Sequence, residues 1–493
     1  MITFYISLAI LIAAYFIYGR LCERIFGADE KRKTPAILHP DGVDYIVIPK
    51  WKIFLIQFLN IAGLGPVFGA IMGAKFGSAS FLWIVFGCIF AGAMHDYFAG
   101  MISLRNDGEG LPNTVGRYLG KNAQFFMRIF TIFLLVIVGA VFTSGPANLL
   151  ATLTPEYLDA TFWIYIIFIY YIIAALLPIN KIIGKIYPLF GFALLFMALG
   201  ILGYMIITNP NIPEMYDSFR NMNPDTEANP IFPMMFVSIA CGAISGFHAT
   251  QSPLMARCMK NERQGRPIFF GAMITEGIVT LIWAAAATYF FTPEGQAFFG
   301  ITDESVNSNA ATITNIISHK WLGTIGGLLA ILGVIAAPIS TGDTALRSAR
   351  LIIADFLKFE QKSLKKRLAI SVPLFAVTII ILLFSLLDKN GFEIIWRYFA
   401  WSNQVLAVFT LWAISVFLQR ERKGWWWIIS FIPAMFMTSI TTTFILFSPV
   451  GVGLNYNLSV VLSIIISLVY GCWFIKKWSK ASNNQRGRKA IKQ

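Results

Sequence analysis

Thirteen apolar runs, each close to one bilayer thickness, recur along the whole chain. They lie at 2–18, 53–74, 80–101, 124–150, 162–179, 186–208, 231–255, 268–290, 321–346, 368–387, 391–419, 425–447 and 455–475. Roughly 20 consecutive apolar residues make one helical crossing, whereas a barrel strand needs only about 10 and alternates in polarity. Lipid offers no partner to backbone N–H and C=O groups, so a crossing must satisfy them internally. The runs are continuous, and the expectation is an all-α polytopic membrane protein with 13 transmembrane helices. Only 13% of the 493 residues are charged, about half the usual share for a soluble domain. No soluble domain of any size fits. The absence of a GxxxxGK[ST] motif likewise argues against a nucleotide-driven pump.

Charge orients the runs. Lysine and arginine gather after every second one, as at Arg20 to Lys52, Arg105 to Lys121, Arg257 to Arg266, Arg347 to Arg367, Arg420 to Lys423 and the tail after Phe474. The intervening loops, with Glu156, Asp159, Glu214, Asp217, Asp225 and Glu227, are acidic or neutral. Basic loops stay in the cytoplasm, so the N-terminus is expected outside and the C-terminus inside. The first run lacks a basic leader and a small-residue cleavage site, so it reads as a retained span rather than a signal peptide. The formal charge of +14 is explained by orientation and anionic lipid, not nucleic acid. The five cysteines form no CxxC or CxxH pattern, which argues against a disulfide framework or structural zinc.

Two runs are interrupted. Residues 53–74 contain Asn60-Ile61-Ala62-Gly63-Leu64-Gly65-Pro66, and residues 231–255 contain Gly242, Ser245 and Gly246 and end at Pro253. Proline removes a helix hydrogen bond and glycine disfavours helix. The two runs are five apart and face opposite ways, so 53–208 and 231–419 read as two inverted halves. They are preceded by an extra helix and basic loop (1–52) and followed by two helices (425–475) and a basic tail (476–493). Paired interruptions in inverted halves point to a transporter's binding site, though kinked helices without a ligand are the plain alternative. Gly69, Gly73 and Gly77 read as a close-packing face.

The stretches NIAGLGPVFGA, AGAMHDYFAGMISLRNDG, SGFHATQSPLMARC, APISTGDTALRSAR and WRYFAWSNQVLA resemble the carbon-starvation protein A family. These are bacterial inner-membrane transporters linked to uptake of peptides and, in some members, pyruvate. The resemblance covers nearly all of 53–419. It implies the amino acid–polyamine–organocation superfamily and a leucine-transporter-like 5+5 inverted repeat with one extra N-terminal and two extra C-terminal helices. In sodium-coupled members of that fold, carbonyls of the first broken helix and a carbonyl plus two hydroxyls of the eighth hold one ion. That pattern implies Leu59, Ala62, Ala337, Ser340 and Thr341 here. The hydroxyls alternatively bond only their own helix. A second sodium site would need an asparagine where Pro66 stands, so at most a single Na⁺ is expected and no other cofactor. Proton coupling stays open.

Other polar residues in the runs are candidates because charge in lipid is costly. Asn60, Gly63, Gly65, Gly242, Ser245, Gly246, His248 and Gln251 flank the breaks. Ser144 lies in the outer half of its run, beside Thr143 and Asn148. His248 either meets a substrate carboxylate, carries a proton or is a satisfied core histidine. Glu276 is either a proton carrier or a hydrogen-bonded structural acid. Asp343 either attracts a cation or pairs with Arg347 four residues on. Glu393 and Arg397 form an outer gate, a carboxylate clamp or a structural pair. Trp401, with Trp396 and Tyr398, caps the substrate or sits in an aromatic belt, and Asn403 and Gln404 meet the substrate or unwound backbone. His95-Asp96 is expected to anchor the loop of Arg105, a metal site lacking further ligands. The four histidines lie far apart, against an intramembrane enzyme. The reading is an ion-driven importer of a small peptide or pyruvate, the peptide favoured by the resemblance alone. A membrane-embedded sensor of the same ligand is the alternative.

Overall fold

The computed structural model describes residues 1–176, 183–303, 306–307, 309–359, 363–387, 391–422 and 424–490, leaving out the side chains of 152, 175–176, 183–186, 217–218, 325, 329, 364, 386–387, 391–393 and 478–490. Among the described residues every regular element is helical. The principal helices are α1 (Ile2–Phe26), α2 (Lys50–Ala62), α3 (Gly65–Ala74), α4 (Ala79–Arg105), α5 (Lys121–Leu153), α6 (Ala160–Leu176) and α7 (Ile183–Thr208). They continue with α8 (His248–Ala256), α9 (Glu262–Phe290), α10 (Ala310–Leu357), α11 (Leu364–Leu387), α12 (Gly391–Glu421), α13 (Ile428–Phe447) and α14 (Tyr456–Ala490).

Ten helices among the described residues are long and apolar enough to cross a membrane, and the bent pair α2–α3 makes an eleventh. The other two expected crossings take different forms. Residues 162–176 fall on α6, a shorter apolar helix, while 177–179 of that expected run lie outside the described residues, and residues 231–255 are no continuous helix at all. This is a multi-pass membrane protein whose helices differ in role. α1, α7, α11 and α14 leave about two thirds or more of their apolar windows exposed, the surface that lipid would cover. α4, α9, α10 and α12 are instead mostly enclosed by other helices; α4, α9 and α10 carry buried ionisable residues, among them Asp96, Glu276 and Asp343.

The interruptions have local causes. At the end of α2, Gly63 adopts φ 48 and ψ −137, a combination disfavoured for any residue with a Cβ. Pro66 then has no N–H to continue the ladder, and the axis turns by 53° between α2 and α3. In the second interrupted run, helix is lost from 239 to 247 and resumes at His248. Pro253 does not end this run: α8 continues through it to Ala256. A proline there forfeits a single backbone bond, and the surrounding packing tolerates that. A third interruption lies within α10, where Gly323 has φ 69 and ψ −176.

The ends of the bundle separate by charge. The backbone N–H of Thr3, at the start of α1, donates to Glu214 at 2.8 Å. Beyond the far end of α1, Arg32, Arg105, Arg117, Arg420 and Arg422 line one shared cavity. Basic loops remote in sequence thus meet at one end, and the acidic 209–230 loop meets the start of α1 at the other.

Candidate functional site

The two interruptions lie against each other. A Cβ on Gly65 would fall 2.2 Å from the Cys241 Cβ, one on Gly69 2.9 Å from the Ser238 carbonyl oxygen, and one on Gly73 2.2 Å from Ile239 Cγ1. Only glycine lets α3 lie this close to residues 238–241. Gly63 faces Phe142, Gly242 faces Thr280 Oγ1 at 2.1 Å, and Gly246 faces the Ala407 amide nitrogen at 2.1 Å, all measured from a hypothetical Cβ. The glycines expected to border a substrate are, in this conformation, closed over by protein atoms.

The unwound residues 239–247 find their backbone partners on α12. The Asn403 side-chain carbonyl accepts from the Phe247 amide at 2.7 Å and from Ser245 Oγ at 2.9 Å, while its backbone carbonyl accepts from the Gly246 amide at 3.1 Å. Gln404 Nε2 donates to the Ile244 carbonyl at 3.5 Å and to that of Phe236, just before the break, at 3.3 Å. Of the two roles open to this pair, the structure exhibits the satisfaction of unwound backbone, which a buried break requires.

Beside the break sits a chain of ionisable groups from three helices. His95 Nδ1 lies 2.8 Å from Asp96 Oδ1, and His248 Nδ1 lies 2.8 Å from Asp96 Oδ2. His248 Nε2 approaches Glu276 Oε2 at 3.5 Å. All four side chains are fully buried. Among the described residues, both Glu276 oxygens and the Nε2 atoms of both histidines have no hydrogen-bond partner. Sequence reasoning named His248 and Glu276 separately but assigned His95-Asp96 to the Arg105 loop. Asp96 instead turns inward to His248, and Arg105 is held by Glu262 through two 2.9 Å bonds. Two carboxylates and two imidazoles in contact can hold a variable number of protons and pass one along the chain. Among the described residues, no group of three or more His, Cys, Asp and Glu side chains is arranged to hold a metal.

The polar lining of α2 and α8 completes this region. Gln57 and Asn60, three residues apart and so on one face of α2, are fully buried, and none of their amide atoms has a hydrogen-bond partner among the described residues. Gln251 Nε2 bonds Thr250 at 2.9 Å, leaving its Oε1 unmet. Gln57 escaped the sequence reading because it precedes the break by two turns; its spacing from Asn60 was the available signal.

On the other side of the first break, α10 meets α2. Thr341 Oγ1 lies 3.1 Å from the Leu59 carbonyl oxygen and 2.9 Å from that of Ala337, and Ser340 Oγ lies 2.7 Å from the same Ala337 oxygen. Four of the five groups that the resemblance implied are therefore linked by contacts. Ala62 is buried at the end of α2. Asp343 accepts from the Tyr187 hydroxyl at 2.6 Å. Arg347 reaches Asp44 at 3.6 Å and the Ala174 carbonyl at 2.8 Å.

The outer candidates have partners of their own, and Trp396 lies 6.4 Å from Phe68 of α3 between ring centroids. Ser144 bonds carbonyls of its own helix at 3.2 and 3.3 Å. Trp401 donates to the Thr441 carbonyl of α13 at 3.1 Å, and Arg397 is exposed. The Glu393 side chain lies outside the described residues.

Comparison with known proteins places this geometry. An uncharacterized membrane protein of Haemophilus influenzae is 43% identical over 59% of this chain and 91% of its own. A Bacillus subtilis protein named peptide transporter CstA is 26% identical over 81% of this chain and 82% of its own. An Escherichia coli protein named pyruvate/proton symporter BtsT is 25% identical over 60% of this chain and 51% of its own. Among solved structures, an Eremococcus coleocola manganese transporter aligns with a TM-score of 0.56 at 12% identity, over 91% of this chain and 99% of that one. This likeness shows that the overall fold is shared with a transporter. A family model described as carbon starvation protein CstA matches residues 1–156, 152–320 and 304–444, and the chain belongs to that family.

Proposed function

We propose that this protein is a secondary active transporter of the bacterial inner membrane. It imports small peptides or pyruvate by alternating access, and protons drive it. The observation that carries the reading is the buried chain His95–Asp96–His248–Glu276, set against the unwound residues 239–247. Protonation of His248 or Glu276 changes the charge facing Asp96. It therefore biases how α8, α4 and α9 pack, and a substrate bound at the break would feel that bias. The E. coli relative named a pyruvate/proton symporter agrees with this choice of ion.

Substrate would enter between the breaks. The unmet amides of Gln57, Asn60 and Gln251 offer donors and acceptors to a peptide backbone, and the start of α8 offers N–H groups to a carboxylate. The proposed architecture has 13 crossings with 53–208 and 231–419 as inverted halves, the N-terminus outside and the C-terminus in the cytoplasm. The paired interruptions and the separation of basic from acidic loops support it.

A second reading, sodium coupling, rests on the contact of Thr341 Oγ1 with the Leu59 carbonyl. Carbonyl and hydroxyl oxygens suit a hard monovalent cation, and Leu59, Ala62, Ala337, Ser340 and Thr341 would hold a single Na⁺. Uptake of labelled dipeptide and pyruvate into proteoliposomes, with proton and sodium gradients imposed separately, tests both. Accumulation under a proton gradient in sodium-free buffer is expected; accumulation under sodium alone would transfer the role to the α2–α10 site, and none under either would remove the transport reading.

A further inference from the structure

At the end of the bundle where the basic loops meet, a cavity of about 520 Å³ is bordered by Arg32, Arg105, Arg117, Arg420 and Arg422. We propose that this cavity binds a phosphate-bearing anion, at a site separate from the helix breaks and independent of what is transported.

The guanidinium groups come from three parts of the chain and are held in place. Glu262 is almost fully buried and fixes Arg105 through two 2.9 Å bonds, with Arg32 Nε at 3.6 Å. Glu109 holds Arg117 through bonds of 3.1 and 3.0 Å. Arg105 and Arg422 lie over the Phe26 ring at 4.0 and 5.9 Å, and Arg422 also donates to the Phe26 carbonyl. Arg420 Nη1 reaches the Arg117 carbonyl at 3.4 Å. These anchors leave the cluster net cationic. Five arginines against Glu421, Glu262 and Glu109 give 5 − 3 = +2. Burial, and to a smaller extent the neighbouring Arg105, push the Arg422 guanidinium below its ordinary range.

Arginine forks match the oxygen geometry of phosphate, and the cavity lies within the usual size of small-ligand sites, about 300–1,000 Å³. Tyr118 and Phe417 give it an apolar wall. Two sources carry this chemistry: an acidic phospholipid headgroup, for which basic pockets between membrane helices are known sites, and a soluble phosphorylated metabolite. Either would tie the loop after α1 to α4 and α12, which bear Asp96 and Asn403.

The test uses the full chain purified in neutral detergent. Its thermal unfolding midpoint is followed with inorganic pyrophosphate, and separately with mixed micelles containing phosphatidylglycerol or only phosphatidylcholine. A rise with pyrophosphate, or with phosphatidylglycerol but not phosphatidylcholine, is expected and tells the two sources apart. Arg32 is half-exposed, so Arg32→Gln should fold normally. Together with Arg420→Gln it should weaken binding by about 100-fold, each lost charge-assisted bond being worth about tenfold, while Arg420→Lys should retain most of it. No rise with either anion, or an equal rise in the double variant, would overturn the proposal.

Discussion

The segment between α1 and α2 returns beneath the bundle, and a buried ion pair is among the contacts that tie it there. Thr34 Oγ1 donates to the Met259 carbonyl at 2.6 Å, and the Ile48 amide donates to the Cys258 carbonyl at 3.1 Å. Between them Asp44, 4% exposed, faces Arg347 at 3.6 Å. Asp44→Asn keeps the shape and removes the charge. Breaking a buried pair costs about 3–5 kcal/mol. Arg347 retains its bond to Ala174, so the lower end applies. About 3 kcal/mol corresponds to ~100-fold in the population with the segment undocked. Cys258 reports on this event. It is fully buried, its Sγ sits 3.8 Å from the Asp44 carbonyl, and burial with the nearby Asp44 charge pushes its thiol up to about 12. Cys22, Cys88 and Cys241 are buried as well, and Cys472 is exposed. In a Cys472→Ser background, maleimide should therefore label Cys258 slowly in the parent and about two orders of magnitude faster in Asp44→Asn. Cys241 labelling serves as the control for global unfolding. Equal Cys258 rates in the two proteins would show that the pair does not hold the segment closed.

Further outcomes are expected at the breaks and at the opposite end. Asp96→Asn should abolish proton-driven accumulation while leaving equilibrium binding of substrate within about tenfold, a split read by comparing uptake with binding at fixed pH. Gly246→Ala places a methyl 2.1 Å from the Ala407 nitrogen and should destabilise by about 1–3 kcal/mol or more, seen as a lower unfolding midpoint. Thr341→Val removes the hydroxyl that meets the Leu59 carbonyl and should cost about 1–3 kcal/mol; any sodium-stimulated uptake should disappear with it. At the 209–230 loop, burial opposes the charged form of Glu214, but hydrogen bonds from the N-terminal ammonium, Thr3 and Ile2 outweigh it and hold the carboxyl down to about 2. A depressed acid stabilises the fold above its unfolded value, 4.5, and loses that contribution as pH falls through the folded one. The midpoint should therefore fall between pH 5 and 3 in the parent and less so in Glu214→Gln.

What could be read from the chain was local. Both interruptions announce themselves through Gly63, Gly65, Pro66, Gly242 and Gly246, because backbone preference belongs to the residue itself. The link between Asp96 and His248 spans 152 positions and leaves no trace in spacing. It also redirected His95-Asp96, since Glu262, not Asp96, secures Arg105. Arg347 teaches the same lesson. Its i−4 neighbour Asp343 was the only partner that spacing offered, whereas Asp343 also bonds Tyr187 and Arg347 also reaches Asp44, both remote in sequence. The contact of Thr341 with Leu59 crosses 282 positions, and only the family pattern pointed to it. Pro253 looked like a stop from composition, but tertiary packing carries α8 past it.

Proton movement accompanying transport gives the clearest judgement on the buried His95–Asp96–His248–Glu276 chain. Vesicles containing the protein and a trapped pH dye, in sodium-free buffer without an imposed gradient, would receive external dipeptide or pyruvate. The lumen should acidify as substrate enters, and Glu276→Gln should take up substrate without acidification or not at all. Substrate entry at the normal rate with no change in lumenal pH in the parent protein would contradict proton coupling through this chain.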